Sequence, residues 1–176
     1  MIILITGASH TGKTLLAQKM LEKYGYPYLS IDHLKMGLFR SGNTDLTPED
    51  DDALMEYLWP IVREVVKTAI ENRQNLIIEG CYIPFDWRRD FDEQYLAHIK
   101  FICLAMTAEY IEDHFDEIIS HESEVEARLV EADCTIANLT VDNNRYIDGF
   151  QNVGERIVLI TDDYEETITD LLNHTF

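Results

Sequence analysis

Positive charge is what this sequence has least of. Its 14 Lys and Arg face 33 Asp and Glu, for a formal charge of −19. Binding an extended polyanion takes clustered Lys and Arg, so the balance argues against nucleic acid and anionic membranes as partners. A local positive pocket for a small anion stays open. Cysteine is sparse as well: Cys81, Cys103 and Cys134 are odd in number and lack close metal-type spacing. That favours reduced thiols over a disulfide framework. With 8 glycines and 4 prolines among 176 residues there is no Gly/Pro-rich linker, and neither repeats nor low-complexity segments occur. No apolar run approaches the roughly 20 residues that span a bilayer. Met1 leads directly into Ile2-Ile3-Leu4-Ile5 without a basic segment, so no signal peptide is expected and the cytoplasm is the expected compartment.

At 46% hydrophobic, the 176 residues suffice for one core, and residues 1–176 read as a single domain. Five short, β-branched-rich runs stand out: Ile2–Thr6, Tyr28–Ile31, Leu76–Glu79, Ile99–Ala105 and Ile157–Thr161. Near-continuous apolar runs separated by helical pattern are how parallel strands read when both faces are buried. Lys13–Tyr24 carries Leu15, Leu16, Met20, Leu21 and Tyr24 at helical spacing, with Gly25 as a stop. Thr47-Pro48-Glu49-Asp50 reads as an N-cap, a first-turn proline and an acidic near-capping box. Behind it a wide apolar stripe runs from Ala53 to Ile70, with Pro60 expected to kink the helix. Ser123-Glu124-Val125-Glu126 is a second capping box, and Tyr164, Ile168, Leu171 and Leu172 mark a last helix. The stretch from Asp133 to Phe150 is polar and weakly periodic and receives no element. The expected fold is α/β: a three-layer arrangement with about five parallel strands, helices on both faces and a helical lid within 107–150.

One motif carries chemistry. Gly7-Ala8-Ser9-His10-Thr11-Gly12-Lys13-Thr14 matches G-x-x-x-x-G-K-[ST] in full. Gly7 and Gly12 permit the backbone angles that turn successive N–H groups inward around phosphate oxygens. Lys13 sets a compact positive charge on the β- and γ-phosphates, and the Thr14 hydroxyl is a hard oxygen ligand for Mg²⁺. Ser9 and His10 present mainly their backbones. A buried-type strand ends at Thr6 and an apolar helix begins at Lys13, the context the mechanism requires. Glu79 closes an apolar run, where a carboxylate is costly without a partner; Mg²⁺ or its waters would be one. No Asn-Lys-x-Asp guanine-reading motif occurs.

The order of parts, with this phosphate loop, resembles the nucleoside monophosphate kinase superfamily, above all its shikimate-kinase-like, chloramphenicol-phosphotransferase-like and zeta-toxin-like small-molecule branch. The resemblance spans nearly the whole chain in element order, while only the loop is motif-specific. It implies ATP and Mg²⁺ as cofactors. It implies Asp32, just after the second strand, as base or outer Mg²⁺ ligand, and Glu79 as metal support or acceptor contact. It also implies Arg40 and Arg88, with neighbouring Arg89, as acceptor-binding groups, and Arg128 or Arg145 as an arginine closing from the lid; of these two Arg128 is favoured, one turn into its capped helix. The bland alternatives are a helix cap for Asp32 and surface ion pairs for the arginines. The sequence departs from adenylate kinases at Glu79-Gly80-Cys81-Tyr82-Ile83-Pro84, which stands in place of Asp-Gly-Phe-Pro-Arg-Thr, and in a strongly acidic lid segment. Both favour a neutral, cationic or lightly charged hydroxyl acceptor over a nucleoside monophosphate. The expectation is an ATP-dependent small-molecule kinase. The alternative is a nucleotide-binding switch that hydrolyses slowly and signals to a protein partner.

Overall fold

A computed structural model of the chain describes residues 1–120 and 134–174. Five strands form one parallel sheet: β1 (Ile2–Gly7), β2 (Tyr28–Ser30), β3 (Leu76–Glu79), β4 (Ile99–Met106) and β5 (Ile157–Ile160), in the order β2-β3-β1-β4-β5. β1 lies at the centre, pairing Ile2–Ile5 with Leu76–Glu79 on one side and Ile2–Gly7 with Ile99–Leu104 on the other. Helices are the crossovers: α1 (Lys13–Tyr24), α2 (Ile31–Arg40), α3 (Asp51–Glu71), α4 (Glu93–Leu96), α5 (Ala108–Ser120), α6 (Ile136–Asn152) and α7 (Tyr164–His174). The parallel α/β architecture expected from the buried runs is present, each strand within two residues of its expected ends.

Alternation along β1 divides the core in two. Ile2 and Leu4 face a cluster with Leu58, Val62 and Val66 of α3, Trp87 and Phe91 beyond β3, and Tyr146 and Phe150 of α6. Ile3 and Ile5 face the opposite cluster, with Leu16, Ala17 and Met20 of α1 and Ile168 of α7. Because side chains alternate strictly across a strand, one apolar run feeds both layers.

Three local expectations are corrected. The third helix begins at Asp51 and not behind Thr47: the Asp50 carboxylate accepts from the Thr47 amide (2.8 Å) and hydroxyl (2.9 Å), closing a turn ahead of the helix. Pro60 lies inside α3, whose buried stripe is narrower than read, since Tyr57 and Ile61 are exposed. The unassigned stretch contains α6, capped by Thr135, whose hydroxyl accepts from the Asn138 amide. The Ser123 capping box and Arg128 lie outside the described residues. Among the described residues no helix is long and apolar enough to cross a membrane.

Candidate functional site

In an open parallel sheet, ligands gather beyond the carboxyl ends of the strands. Gly7–Thr14 sits there, leaving the centre of the sheet and entering α1. Gly7 lies so close to β4 that a Cβ would stand 2.0 Å from the Leu104 carbonyl oxygen, so only glycine fits. Gly12 adopts the left-handed region at φ +77°, and His10 does so at φ +63°. Thr11 Oγ1 and Lys13 Nζ both donate to the Ala8 carbonyl, at 2.8 and 2.7 Å, which closes the loop into a compact ring. Lys13 is only 5% exposed, so its charge is held against the loop backbone and is not dispersed into solvent. The N-cap residue of α1 is Gly12, which has no side chain to cap the first turn, so the N–H groups and helix dipole are directed into the ring.

Glu79 lies beside the loop at the end of β3. It is buried at 1% exposure and accepts from Thr14 Oγ1 at 3.3 Å. The adjacent register positions Ile5 and Ser30 fix its height in the sheet. A hydroxyl and a carboxylate meeting in a buried position are two hard oxygen donors. Among the described residues no group of three or more His, Cys, Asp and Glu side chains gathers as a metal site. That pairing fits Mg²⁺, which is held through one or two protein oxygens, phosphates and water more often than in an all-protein cage.

Asp32 opens α2, half-buried, and pairs with Lys35 at 2.8 Å. Lys35 also donates to the Tyr82 hydroxyl (2.9 Å), which in turn donates to Asp51 at the start of α3 (2.9 Å). Burial first, and then the neighbouring Asp32 and Asp51 charges, push the Tyr82 phenol well above its ordinary range, so it stays a donor. Behind it the Cys81 thiol contacts the Gly7 carbonyl at 3.7 Å. Burial raises that thiol, the Lys13 charge opposes the rise, and the Asp32 and Asp142 carboxylates add to it. Cys81 thus lies among the fields of all three groups.

Among the described residues, Arg88, Arg89 and Arg145 are each paired with a carboxylate. Arg88 is bound to Glu155, just ahead of β5, and lies over the Trp87 ring. Glu155 lies two residues ahead of Ile157, which pairs with Cys103 of β4. Arg89 pairs with Asp86 on the surface, and Arg145 reaches Asp52 at 3.0 Å. Arg40 is exposed at the far end of α2, roughly 12 Å along the axis from Asp32 at 1.5 Å per residue. Trp87 is core, stacked on Phe101.

Two participants escape a sequence reading. Asp142 of α6 accepts the Ser9 backbone N–H at 2.8 Å, and a Cβ on Gly12 would stand 1.8 Å from the Tyr164 hydroxyl of α7. The spacing Leu139, Asn143, Tyr146, Phe150 would have exposed α6, since all four are buried on one face. Reading Asn143 as merely polar hid it: Oδ1 accepts the Met106 N–H (2.7 Å) and Nδ2 donates to the Leu139 carbonyl (2.8 Å).

No family model and no curated protein matches the chain in sequence. Solved structures do match in shape. A shikimate kinase from Bacteroides thetaiotaomicron superposes with a TM-score of 0.62 at 15% identity, over 98% of this chain and 96% of that one. A deoxyadenosine kinase from M. mycoides gives 0.57 at 15%, over 99% and 98%. A gluconokinase from Sinorhizobium meliloti gives 0.53 at 14%, over 97% and 89%. The chain thus shares the fold of these kinases, a parallel α/β sheet with helices around it.

Proposed function

We propose that the chain is a Mg²⁺- and ATP-dependent phosphotransferase that moves the γ-phosphoryl group to a hydroxyl of a small molecule. The observation that carries this reading is the closed loop, with buried Lys13 folded across it at the carboxyl end of the central strand. The loop amides and the start of α1 hold the phosphate chain, and Lys13 neutralises charge that builds on the β/γ oxygens as transfer proceeds. Thr14 and Glu79 are the residues that would hold Mg²⁺, which when bound adds charge neutralisation at the phosphates. Asp32 accepts the proton of the attacking hydroxyl as the new O–P bond forms and the bond to the leaving diphosphate breaks. Lys35 keeps its carboxylate oriented. The acceptor lies against Asp32, Lys35, Tyr82 and Asp51, a set with two carboxylates and one ammonium. Such a lining suits a neutral or cationic hydroxyl compound better than a phosphorylated one.

The test is a metabolite mixture incubated with γ-labelled ATP and Mg²⁺. Label should move from ATP to a defined compound with the wild-type chain and not with Lys13→Met, while both proteins keep the same melting temperature. Transfer that survives in Lys13→Met would refute the assignment. Label appearing only in free phosphate, whatever compound is added, would favour the switch reading.

A further inference from the structure

Every backbone N–H in a phosphate loop is a candidate phosphate ligand, yet one of them already holds an anion. The Ser9 N–H donates to Asp142 Oδ2 at 2.8 Å, from a residue 133 positions away on α6. The place of this amide in the loop follows from Lys13. Its ammonium lies 2.7 Å from the carbonyl of Ala8, the residue preceding Ser9, although its own backbone is at the start of α1. A phosphate-loop lysine engages the β- and γ-phosphates. The limb at Ala8 and Ser9 therefore borders the terminal phosphate, and the α1 end borders the inner ones.

From this geometry, and resting on the nucleotide reading above, we infer that Asp142 is a specificity-determining residue. Its carboxylate is a placeholder on the Ser9 amide that a terminal phosphate must displace, so it weakens triphosphate binding more than diphosphate binding. A carboxylate and a phosphate oxygen cannot share one N–H without like-charge repulsion. The helix that carries Asp142 is not free to withdraw. Its next residue, Asn143, is 1% exposed and bonded to the Met106 amide, and Tyr146 and Phe150 are embedded in the core. Release is thus a rotation of the Asp142 side chain alone. Arg145, three residues along the same helix and held by Asp52 at 3.0 Å, would exchange that partner to meet the released carboxylate.

Calorimetric titration of Mg·ATP and Mg·ADP, without acceptor, into the wild type, Asp142→Asn and Asp142→Ala tests this. Removing the placeholder charge should tighten Mg·ATP by about tenfold, the size of one charge-assisted hydrogen bond exchanged, and should shift Mg·ADP far less. The Asn variant keeps the side chain's shape, so it reports even if the Ala variant folds poorly. A loop-propping structural role would give the opposite sign, with weaker binding of both nucleotides. Affinity that is unchanged, reduced, or raised equally for both nucleotides overturns the inference while leaving the nucleotide reading intact. Absence of heat with either nucleotide in all three proteins overturns the nucleotide reading and the inference together.

Discussion

At the scale of single residues, the loop depends on backbone angles that side chains resist. Gly12 at φ +77° is the clearest case, because two separate penalties meet there. An L-residue in the left-handed region costs about 1–2 kcal/mol. A Cβ would also stand 1.8 Å from the Tyr164 hydroxyl and 2.8 Å from its ring carbon, so α7 must yield as well. Gly12→Ala should therefore lower unfolding free energy by about 2–3 kcal/mol, read as a lower urea midpoint with an unchanged slope. Adding Tyr164→Ala should not restore it to the level of Tyr164→Ala alone, since the backbone penalty remains. A Gly12→Ala variant as stable as the wild type would show that the α7 contact and the strained angle are both misplaced. The motif itself was legible in sequence because its glycines answer to local geometry. The Tyr164 contact was not, because it joins residues 152 positions apart and leaves no local trace.

At the scale of elements, strands were easier to read than helix ends. A buried parallel strand writes a continuous apolar run, and all five runs became strands. The start of α3 was misread because Thr47 and Asp50 bond to each other in a turn. The same residue types that cap a helix also close turns, and sequence alone does not separate the two uses. α6 was missed for a different reason: one of its four core-facing positions is Asn143, which breaks the apolar period while serving the same face. That side chain satisfies the Met106 amide at the end of β4. Asn143→Leu keeps the branching at Cγ and removes the acceptor, leaving a buried N–H unpaired, at a cost of about 1–3 kcal/mol. Chemical denaturation should show that loss. If the variant is instead neutral, the Met106 amide has found water or another acceptor, and α6 is held by Tyr146 and Phe150 alone.

At the scale of the whole molecule, charge opposes compactness. The excess of acids over bases, 33 less 14, leaves 19 negative charges without a basic counterpart. Among the described residues, ion pairs such as Lys19–Glu165, Lys67–Glu64 and Arg89–Asp86 are partly or well exposed. Exposed pairs contribute about 0–1 kcal/mol each, so they do not offset the repulsion among the rest. Unfolding moves like charges apart, which makes repulsion a cost of the folded state in particular. Salt screens it: the Debye length falls to about 10 Å at 0.1 M. Raising NaCl from near zero to 0.3 M should accordingly raise the melting temperature by about 3 °C, since about 1 kcal/mol is worth 2–4 °C in a chain of this size. Scanning fluorimetry across a NaCl series, repeated with KCl to exclude ion-specific binding, measures it. A melting temperature that falls with both salts would mean that attractive pairs outweigh repulsion.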